Sequence, residues 1–168
     1  GDAAAAIYIE SSNDNEGLLH YSMATFPEGA ELTEVKGGGT NLHPQDSATR
    51  PEHNLFTMKG PQIFKMAFQK VYDRIERDLL ANKITHKDID LLIPHQASIR
   101  AIRAYSKYGG FNEKQVMNIL PTTGNCVAAS LPLALVMAYR QKKINKKNLI
   151  YLVGTGAGLS IASALIRL

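Results

Sequence analysis

Apolar residues recur along this chain with two different spacings, and these divide it into short segments. Five segments carry the alternating or continuous apolar runs of β-strands: 3–10, 18–26, 88–95, 148–154 and 159–168. Three others have apolar residues at every third or fourth position, as in helices: 61–81, 96–108 and 126–141. The order β-β-α-β-α-α-β-β predicts a layered α/β domain with a mixed sheet.

Glycine and proline refine the ends of these segments. Pro61 suits the first turn of a helix, Gly109 follows the helix at 96–108, and Pro132 predicts a kink in the last helix. The polar residues 11–17 predict a turn between the first two strands. Residues 27–58 show little periodicity, and so long an irregular segment is either functional or a surface loop without a catalytic role.

Composition narrows the class of protein. A chain of 168 residues with 45% hydrophobic and 20% charged residues is typical of one globular domain. Its formal charge of +4 is mild and does not predict nucleic-acid binding. The apolar stretch 148–166 is interrupted by glycine and serine, so no membrane span is expected. A single cysteine and no visible signal peptide favour the cytoplasm.

Two polar residues stand where a strand or turn leads into a helix. His95 ends the apolar run DIDLLIPH, and Asn125 precedes the helix at 126–141. Such junctions commonly carry the chemistry of α/β folds. A neutral imidazole and a carboxamide could donate two hydrogen bonds to one oxygen that gains negative charge, which indicates an acyl-transfer site. The alternatives are a structural histidine at a strand end and an asparagine that caps a helix.

Several motifs together resemble a known family. PHQAS at 94–98, GN at 124–125, AAS at 128–130 and GTGAG at 154–158 match, in order, the second half of beta-ketoacyl-acyl-carrier-protein synthase III. The opening GDAAAA is similar to the GDGAGA of that family. The resemblance implies a thiolase-like fold with a mixed five-stranded sheet covered by helices, one of two similar halves. Residues 1–168 would then be the C-terminal domain.

The resemblance also implies roles for individual residues. His95 and Asn125 would activate a malonyl group, and the backbone N–H of Ala157 would belong to an oxyanion hole. The alternative for the glycine-rich turn around Ala157 is a plain hairpin. The nucleophilic cysteine of the family lies in the N-terminal half, so this chain alone should not catalyse condensation. Cys126 is expected to be a buried small side chain, although a position at a helix start would lower its thiol pKa.

Basic residues are expected at the mouth of the site. Arg100, Arg103 and Lys107 share one face of the helix at 96–108. With Lys65, they would dock an acidic acyl carrier protein or the phosphates of coenzyme A. A solvated helix face is the alternative. Three departures from the family pattern, at Pro61, Ser98 and Thr155, leave substrate preference open.

The resemblance implies an acyltransferase of fatty acid biosynthesis. It would condense an acyl-CoA primer with malonyl-acyl carrier protein, with loss of CO2. It would pack against the N-terminal half of the same enzyme, and the complete enzyme would be a homodimer. No metal or bound cofactor is expected, because no cluster of His, Cys or Asp has ligand spacing. One alternative is a condensing enzyme of polyketide or quinolone type that uses coenzyme A thioesters. The other is a non-catalytic subunit that docks a carrier protein.

Overall fold

The computed structural model describes residues 1–12 and 15–168. The strands are β1 (Gly17–Thr25), β2 (Thr33–Val35), β3 (Phe56–Met58), β4 (Leu91–Pro94), β5 (Leu149–Gly156) and β6 (Ser160–Arg167). The α-helices are α1 (Gly60–Ala81), α2 (Ile99–Tyr108), the single turn α3 (Leu120–Thr123) and α4 (Ser130–Arg140), and short 3-10 turns lie between the elements. The described residues therefore contain both strands and helices, as the spacing of apolar residues predicts.

The main sheet has the strand order β1-β6-β5-β4. β4 is parallel to β5, whereas β6 is antiparallel to both of its neighbours. Parallel neighbours need a long crossover connection, and here α2, α3 and α4 lie between β4 and β5 along the chain. The predicted mixed sheet covered by helices is confirmed.

Both faces of β4 are buried, which explains why this strand reads as a continuous apolar run. Leu92 packs into a cluster with Val71 and Ile75 of α1 on one face. Leu91 and Ile93 point to the other face and join a cluster with residues of α4. A strand covered on both sides shows no alternation of apolar and polar residues.

A buried carboxylate anchors α1 to the sheet. Asp78 is 3% exposed, and its Oδ2 accepts hydrogen bonds from the hydroxyls of Tyr151 at 2.7 Å and Ser163 at 2.5 Å. Its Oδ1 lies 3.2 Å from Nε2 of His20 and 3.6 Å from the guanidinium of Arg74. Burial alone raises the pKa of this carboxyl, but the hydrogen bonds from the two hydroxyls and His20 outweigh it and hold the pKa below its usual value.

The prediction of a strand at 3–10 is wrong for this structure. Residues 1–12 form no strand, and Ile7, Tyr8 and Ile9 are 57%, 86% and 85% exposed. A strand exists only where a neighbour pairs with its backbone, and no described segment pairs with this one. The main sheet therefore has four strands instead of the expected five. The predicted turn at 11–17 includes residues 13 and 14, which lie outside the described residues.

Three further boundaries differ from the sequence prediction. The segment 27–58 is not wholly irregular, because β2 and β3 form a small antiparallel pair in which Thr33 faces Met58. Strands of three residues are too short to show a period.

The helices predicted at 96 and 126 begin later, at Ile99 and Ser130. Pro132 therefore falls in the first turn of α4, where its missing N–H has no helical partner to lose, and the predicted kink is wrong.

Candidate active site

His95 follows directly after β4. Its backbone N–H donates to the carbonyl of Val153 at 2.8 Å, which extends the pairing with β5 by one residue. The side chain is partly buried, and burial lowers the pKa of the imidazole below its usual value. The ring is therefore neutral at pH 7 and carries one N–H donor and one acceptor nitrogen.

Asn125 lies in the turn between α3 and α4. Gly124 before it has φ of +66°, a backbone conformation that glycine adopts without steric cost. The side-chain oxygen of Asn125 accepts a hydrogen bond from the backbone N–H of Val127 at 2.9 Å. In the described parts of the chain its amide NH2 has no acceptor, so this group is available to donate. Asn125 thus supports its own turn through one atom and presents a donor through the other.

Val127 occupies a strained conformation beside this donor. Its φ is +50°, which is rare for a β-branched residue, and its side chain is 74% exposed. Strain of this kind costs on the order of 1–3 kcal/mol and concentrates at functional sites. Here it directs the Val127 N–H to the oxygen of Asn125.

Gln96 is a site residue that the sequence reasoning missed. It is fully buried, and its Nε2 donates to the carbonyls of Pro94 at 2.8 Å and Met117 at 3.2 Å. Its Oε1 accepts from the N–H of Ile119 at 3.0 Å. The side chain therefore fixes the end of β4, which carries His95, to the segment that leads into α3 and Asn125. The signal in the sequence was a polar residue next to His95 at the end of an otherwise apolar run.

One cavity brings the candidate residues together. It has a volume of about 480 Å³, and His95, Asn125, Ser98, Thr155 and Ala157 contribute to its lining. The rest of the wall comes mainly from α1, α2 and the β2–β3 pair. The volume lies within the range of about 300–1,000 Å³ that is usual for ligand pockets. The structure therefore places the two predicted donors and the glycine-rich turn at the same cavity.

Ala157 lies in the turn between β5 and β6. Within the described residues, its N–H does not donate to any backbone carbonyl of a turn or loop. Gly158 follows with φ of +136°, which only glycine tolerates well. The turn is thus a hairpin, as one reading of the sequence had it, and it also leaves an N–H free at the cavity.

The four predicted docking residues lie outside the cavity lining. Lys65, Arg100, Arg103 and Lys107 are all exposed. The guanidinium of Arg100 stands 5.5 Å from the ring centre of Phe64, a residue that does line the cavity. Arg100 therefore sits at the cavity rim. The structure shows where these side chains lie, and their role stays a prediction.

Cys126 is buried, as expected. Its Sγ lies 3.4 Å from the carbonyl of Thr123, and its backbone N–H donates to the hydroxyl of Ser130. It is not in the first turn of α4, since that helix begins at Ser130. It instead precedes the short 3-10 turn Val127–Ala129, which leads into that helix.

The arrangement can bind a small acyl compound and stabilise negative charge on an oxygen. A neutral imidazole, a carboxamide and a free backbone N–H border one largely apolar cavity. Fixed donors of this kind stabilise an oxyanion better than water does, because they need not reorient during the reaction. The chain is thus an α/β protein with a cavity whose polar groups suit an oxyanion.

Comparison with known proteins identifies the family. The model of the 3-oxoacyl-[acyl-carrier-protein] synthase III C terminal matches residues 79–168. The beta-ketoacyl-[acyl-carrier-protein] synthase III of Clostridioides difficile is 35% identical over 167 residues, which are 99% of this chain and 51% of that protein. The corresponding protein of Wolbachia pipientis is 36% identical over 99% of this chain and 50% of its own length.

A solved structure agrees with these matches. The 3-oxoacyl-(acyl carrier protein) synthase III of Pseudomonas aeruginosa superposes with a TM-score of 0.79 at 28% identity, over 94% of this chain and 46% of that one. The chain belongs to the 3-oxoacyl-[acyl-carrier-protein] synthase III family. It has the thiolase-like α/β fold that the resemblance implied, and it spans about half the length of the curated relatives it matches.

Proposed function

We propose that the protein carrying this chain condenses an acyl-CoA primer with malonyl-acyl carrier protein in fatty acid biosynthesis. Family membership supports an acyltransferase of the condensing type, since the relatives are beta-ketoacyl-[acyl-carrier-protein] synthases III. The observation that carries the proposal is the pair of free donors, on His95 and Asn125, at one cavity. The acyl group would be carried by a nucleophile supplied from outside these 168 residues.

The donor pair would act on the malonyl thioester. When the bond between the α-carbon and the carboxylate breaks, CO2 leaves and its bonding electrons form the enolate of the remaining acetyl thioester. Negative charge then accumulates on the thioester oxygen, to which His95 and Asn125 would donate. A charged imidazolium could transfer its proton to the enolate, whereas the neutral ring that burial favours only donates a hydrogen bond.

The second step would form the new carbon–carbon bond. The enolate carbon attacks the carbonyl of the carried acyl group, and the carbonyl electrons move to its oxygen. The N–H of Ala157, a residue that lines the cavity, would stabilise this oxyanion. When the intermediate collapses, the thiolate of the nucleophile that held the acyl group leaves with its bonding electrons. The product is a 3-oxoacyl thioester on the acyl carrier protein.

The exposed basic residues suit the delivery of this substrate. Arg100 lies at the cavity rim over Phe64, and Arg103 and Lys107 continue along α2. Lys65 follows Phe64 on α1. Exposed positive charge speeds the encounter with an acidic carrier protein, and this effect weakens as salt rises. We include acyl carrier protein, coenzyme A thioesters, a cytoplasmic location and a homodimer in the proposal, without a bound metal or cofactor.

Release of CO2 from labelled malonyl-acyl carrier protein tests the donor pair. In the complete protein, His95→Ala and Asn125→Ala should each reduce the rate by about 10²–10³-fold, as expected for loss of one oxyanion donor. His43→Ala, which removes an exposed histidine from the loop between β2 and β3, is the matched control and should retain the parent rate. Unchanged CO2 release in both site variants would refute the proposed roles.

The same assay separates the alternatives. Preference for malonyl-CoA over malonyl-acyl carrier protein would indicate the coenzyme A-dependent class of condensing enzyme. Full activity of a complex that contains both site variants would indicate a subunit that only docks the carrier. Either result would replace the proposed function by a specific alternative.

A further inference from the structure

Positive charge is distributed unevenly along the chain. All 15 acidic residues lie within residues 1–113, whereas residues 114–168 contain seven lysines and arginines and neither Asp nor Glu. The mild overall charge of +4 is therefore an average over an acidic part and a strongly basic part. A charge difference of this kind between parts of a chain indicates contact with a nucleic acid or a membrane.

The structure gathers most of these cations at one end of the main sheet. The end of α4 and its connection to β5 carry five of them. Another is the last residue of β6, which faces the first residue of β5. We call this region the basic surface. It consists of Arg140, Lys142, Lys143, Lys146, Lys147 and Arg167.

Backbone contacts hold the connection between α4 and β5 in place. The N–H of Lys143 donates to the carbonyl of Ala138 at 3.0 Å, and the guanidinium of Arg167 donates to the carbonyl of Lys147 at 3.2 Å. Ile144, in the middle of the connection, is 4% exposed and packs into the core with residues of α4. The lysines on both sides of it are exposed. The connection is therefore an ordered part of the protein surface.

Stabilisation of α4 accounts for only part of this charge. Cations at the end of a helix offset the dipoles of its last carbonyl groups, and the effect fades beyond the last turn. Arg140 lies in that turn, and Lys142 and Lys143 follow closely. Lys146 and Lys147 lie further along the chain, so the helix gives no reason for their charge.

The carboxylates beside the basic surface do not pair with it. Oδ2 of Asp90 accepts a hydrogen bond from the N–H of Leu149 at 2.7 Å. Glu16 precedes Gly17, the residue of β1 that faces Arg167. Within the described parts of the chain, no ion pair involves a cation of the basic surface. Its charge is therefore available to an anionic partner.

The basic surface and the cavity lie at opposite ends of the sheet. β5 begins at Leu149, beside the basic surface, and ends at Gly156, which lines the cavity. Eight strand residues correspond to about 25 Å. The basic surface is thus distinct from the predicted docking residues, of which Arg100 lies at the cavity rim. A partner bound to it would leave the cavity accessible.

The composition of this surface favours a lipid bilayer over a nucleic acid. Four of its cations are lysines, which act as point charges and lack the planar fork with which arginine binds phosphate. Residues 139–148 contain one aromatic side chain, Tyr139, which is 70% exposed. Binding of single-stranded nucleic acid commonly uses several aromatic rings on which bases stack. A lone tyrosine beside lysines suits the interface of a bilayer, where its ring and its hydroxyl meet apolar and aqueous surroundings.

We propose that the basic surface attaches the protein to the anionic surface of a lipid bilayer. Clusters of about four to eight lysines and arginines recognise anionic headgroups, and each cation strengthens the attachment by about fivefold. The attachment is peripheral, and among the described residues no helix is long and apolar enough to cross a membrane. The inference goes beyond the proposed function and does not depend on it, because it uses residues far from the cavity.

Co-sedimentation of the complete protein with lipid vesicles tests the attachment. Vesicles of phosphatidylcholine with about 30 mol% phosphatidylglycerol are compared with vesicles of phosphatidylcholine alone. The protein should bind only the anionic vesicles. Raising the salt from about 0.05 M to about 0.5 M should weaken this binding at least about tenfold, because ions screen exposed charges.

Matched variants locate the binding surface. Lys146→Gln/Lys147→Gln removes two charges from the basic surface and should lower the affinity for anionic vesicles by about 25-fold. Lys36→Gln/Lys59→Gln removes the same charge from exposed lysines next to the β2–β3 pair and should retain the parent affinity. Lys146→Arg/Lys147→Arg keeps the charge and should also bind like the parent. Its binding would show that the glutamine variant does not lose affinity through a damaged fold.

Three results would overturn the proposal. One is the absence of binding to anionic vesicles. Another is an equal loss in Lys146→Gln/Lys147→Gln and in the control Lys36→Gln/Lys59→Gln, because overall charge would then govern the binding. The last is tighter binding of the parent protein to duplex DNA or single-stranded RNA than to the vesicles, lost in Lys146→Gln/Lys147→Gln. That result would assign the basic surface to a nucleic acid.

Discussion

Gln96→Leu tests whether one buried amide holds the two halves of the candidate site together. Gln96 is 0% exposed, and leucine has a similar size without hydrogen-bonding groups. The substitution removes three hydrogen bonds, to the carbonyls of Pro94 and Met117 and from the N–H of Ile119. We expect the variant to fold with lower stability.

The magnitude follows from the groups that lose their partner. The Ile119 N–H has only the Gln96 oxygen as its acceptor in the described residues, and leaving such a donor buried costs about 1–3 kcal/mol. The carbonyls of Pro94 and Met117 each lose one hydrogen bond, which costs about 0.5–1.5 kcal/mol of stability per bond. Burial of the apolar leucine side chain offsets part of this loss. A net loss of about 2–4 kcal/mol is expected. That is a large fraction of the usual stability of about 5–15 kcal/mol.

Urea titration and thermal melting of the complete protein measure this loss. For a domain of about 150–250 residues, about 3 kcal/mol corresponds to a fall in Tm of roughly 6–12 °C, and a longer protein shows a smaller fall. Gln69→Leu is the matched control, because Gln69 is exposed on α1 and its replacement should change stability by less than about 0.5 kcal/mol. If Gln96→Leu is as stable as Gln69→Leu, the inference that Gln96 fastens the site is wrong.

Two further predictions concern the supports of the site. Asp78→Asn should cost about 2–3 kcal/mol at pH 7, because the carboxylate accepts charge-assisted hydrogen bonds from Tyr151 and Ser163. The folded pKa of Asp78 is lowered, so its contribution is present above the unfolded value of about 3.9 and disappears as pH falls through the folded value. Urea midpoints from pH 7 to pH 2 should therefore converge for parent and variant, and a constant difference would contradict this. Ser98→Ala removes the cap bond to the N–H of Ala101 at 3.2 Å and should cost about 1 kcal/mol in the same titration, whereas no loss would show that the cap is not needed.

The pairing of His95 with Asn125 could be predicted from the sequence because each stands at the end of a recognisable element. Local patterns place His95 after a buried strand and Asn125 in a turn before a helix. The structure adds that both reach one cavity, and that the oxygen of Asn125 is engaged by Val127 while its NH2 remains free. Such atomic detail depends on the backbone of the turn, which the sequence pattern does not specify.

The failure at residues 3–10 has a different cause. Alternation of apolar and polar residues indicates a strand, but strand formation needs a partner that the pattern cannot supply. The short pair β2–β3 was missed for the converse reason, since three residues form strands there only because they meet each other. Both errors concern contacts between distant parts of the chain.

The sequence by itself determined the α/β class, the limits of α1, the buried character of β4 and the family to which the chain is similar. These depend on the spacing of apolar residues and on motifs that lie within a few positions of one another. Only the tertiary structure decided which side chains share the cavity, and that Gln96 and Asp78 are buried with their partners. The physical reason is that hydrogen bonding, burial and empty space are properties of residues brought together from distant positions, whereas periodicity records only each segment's own surroundings.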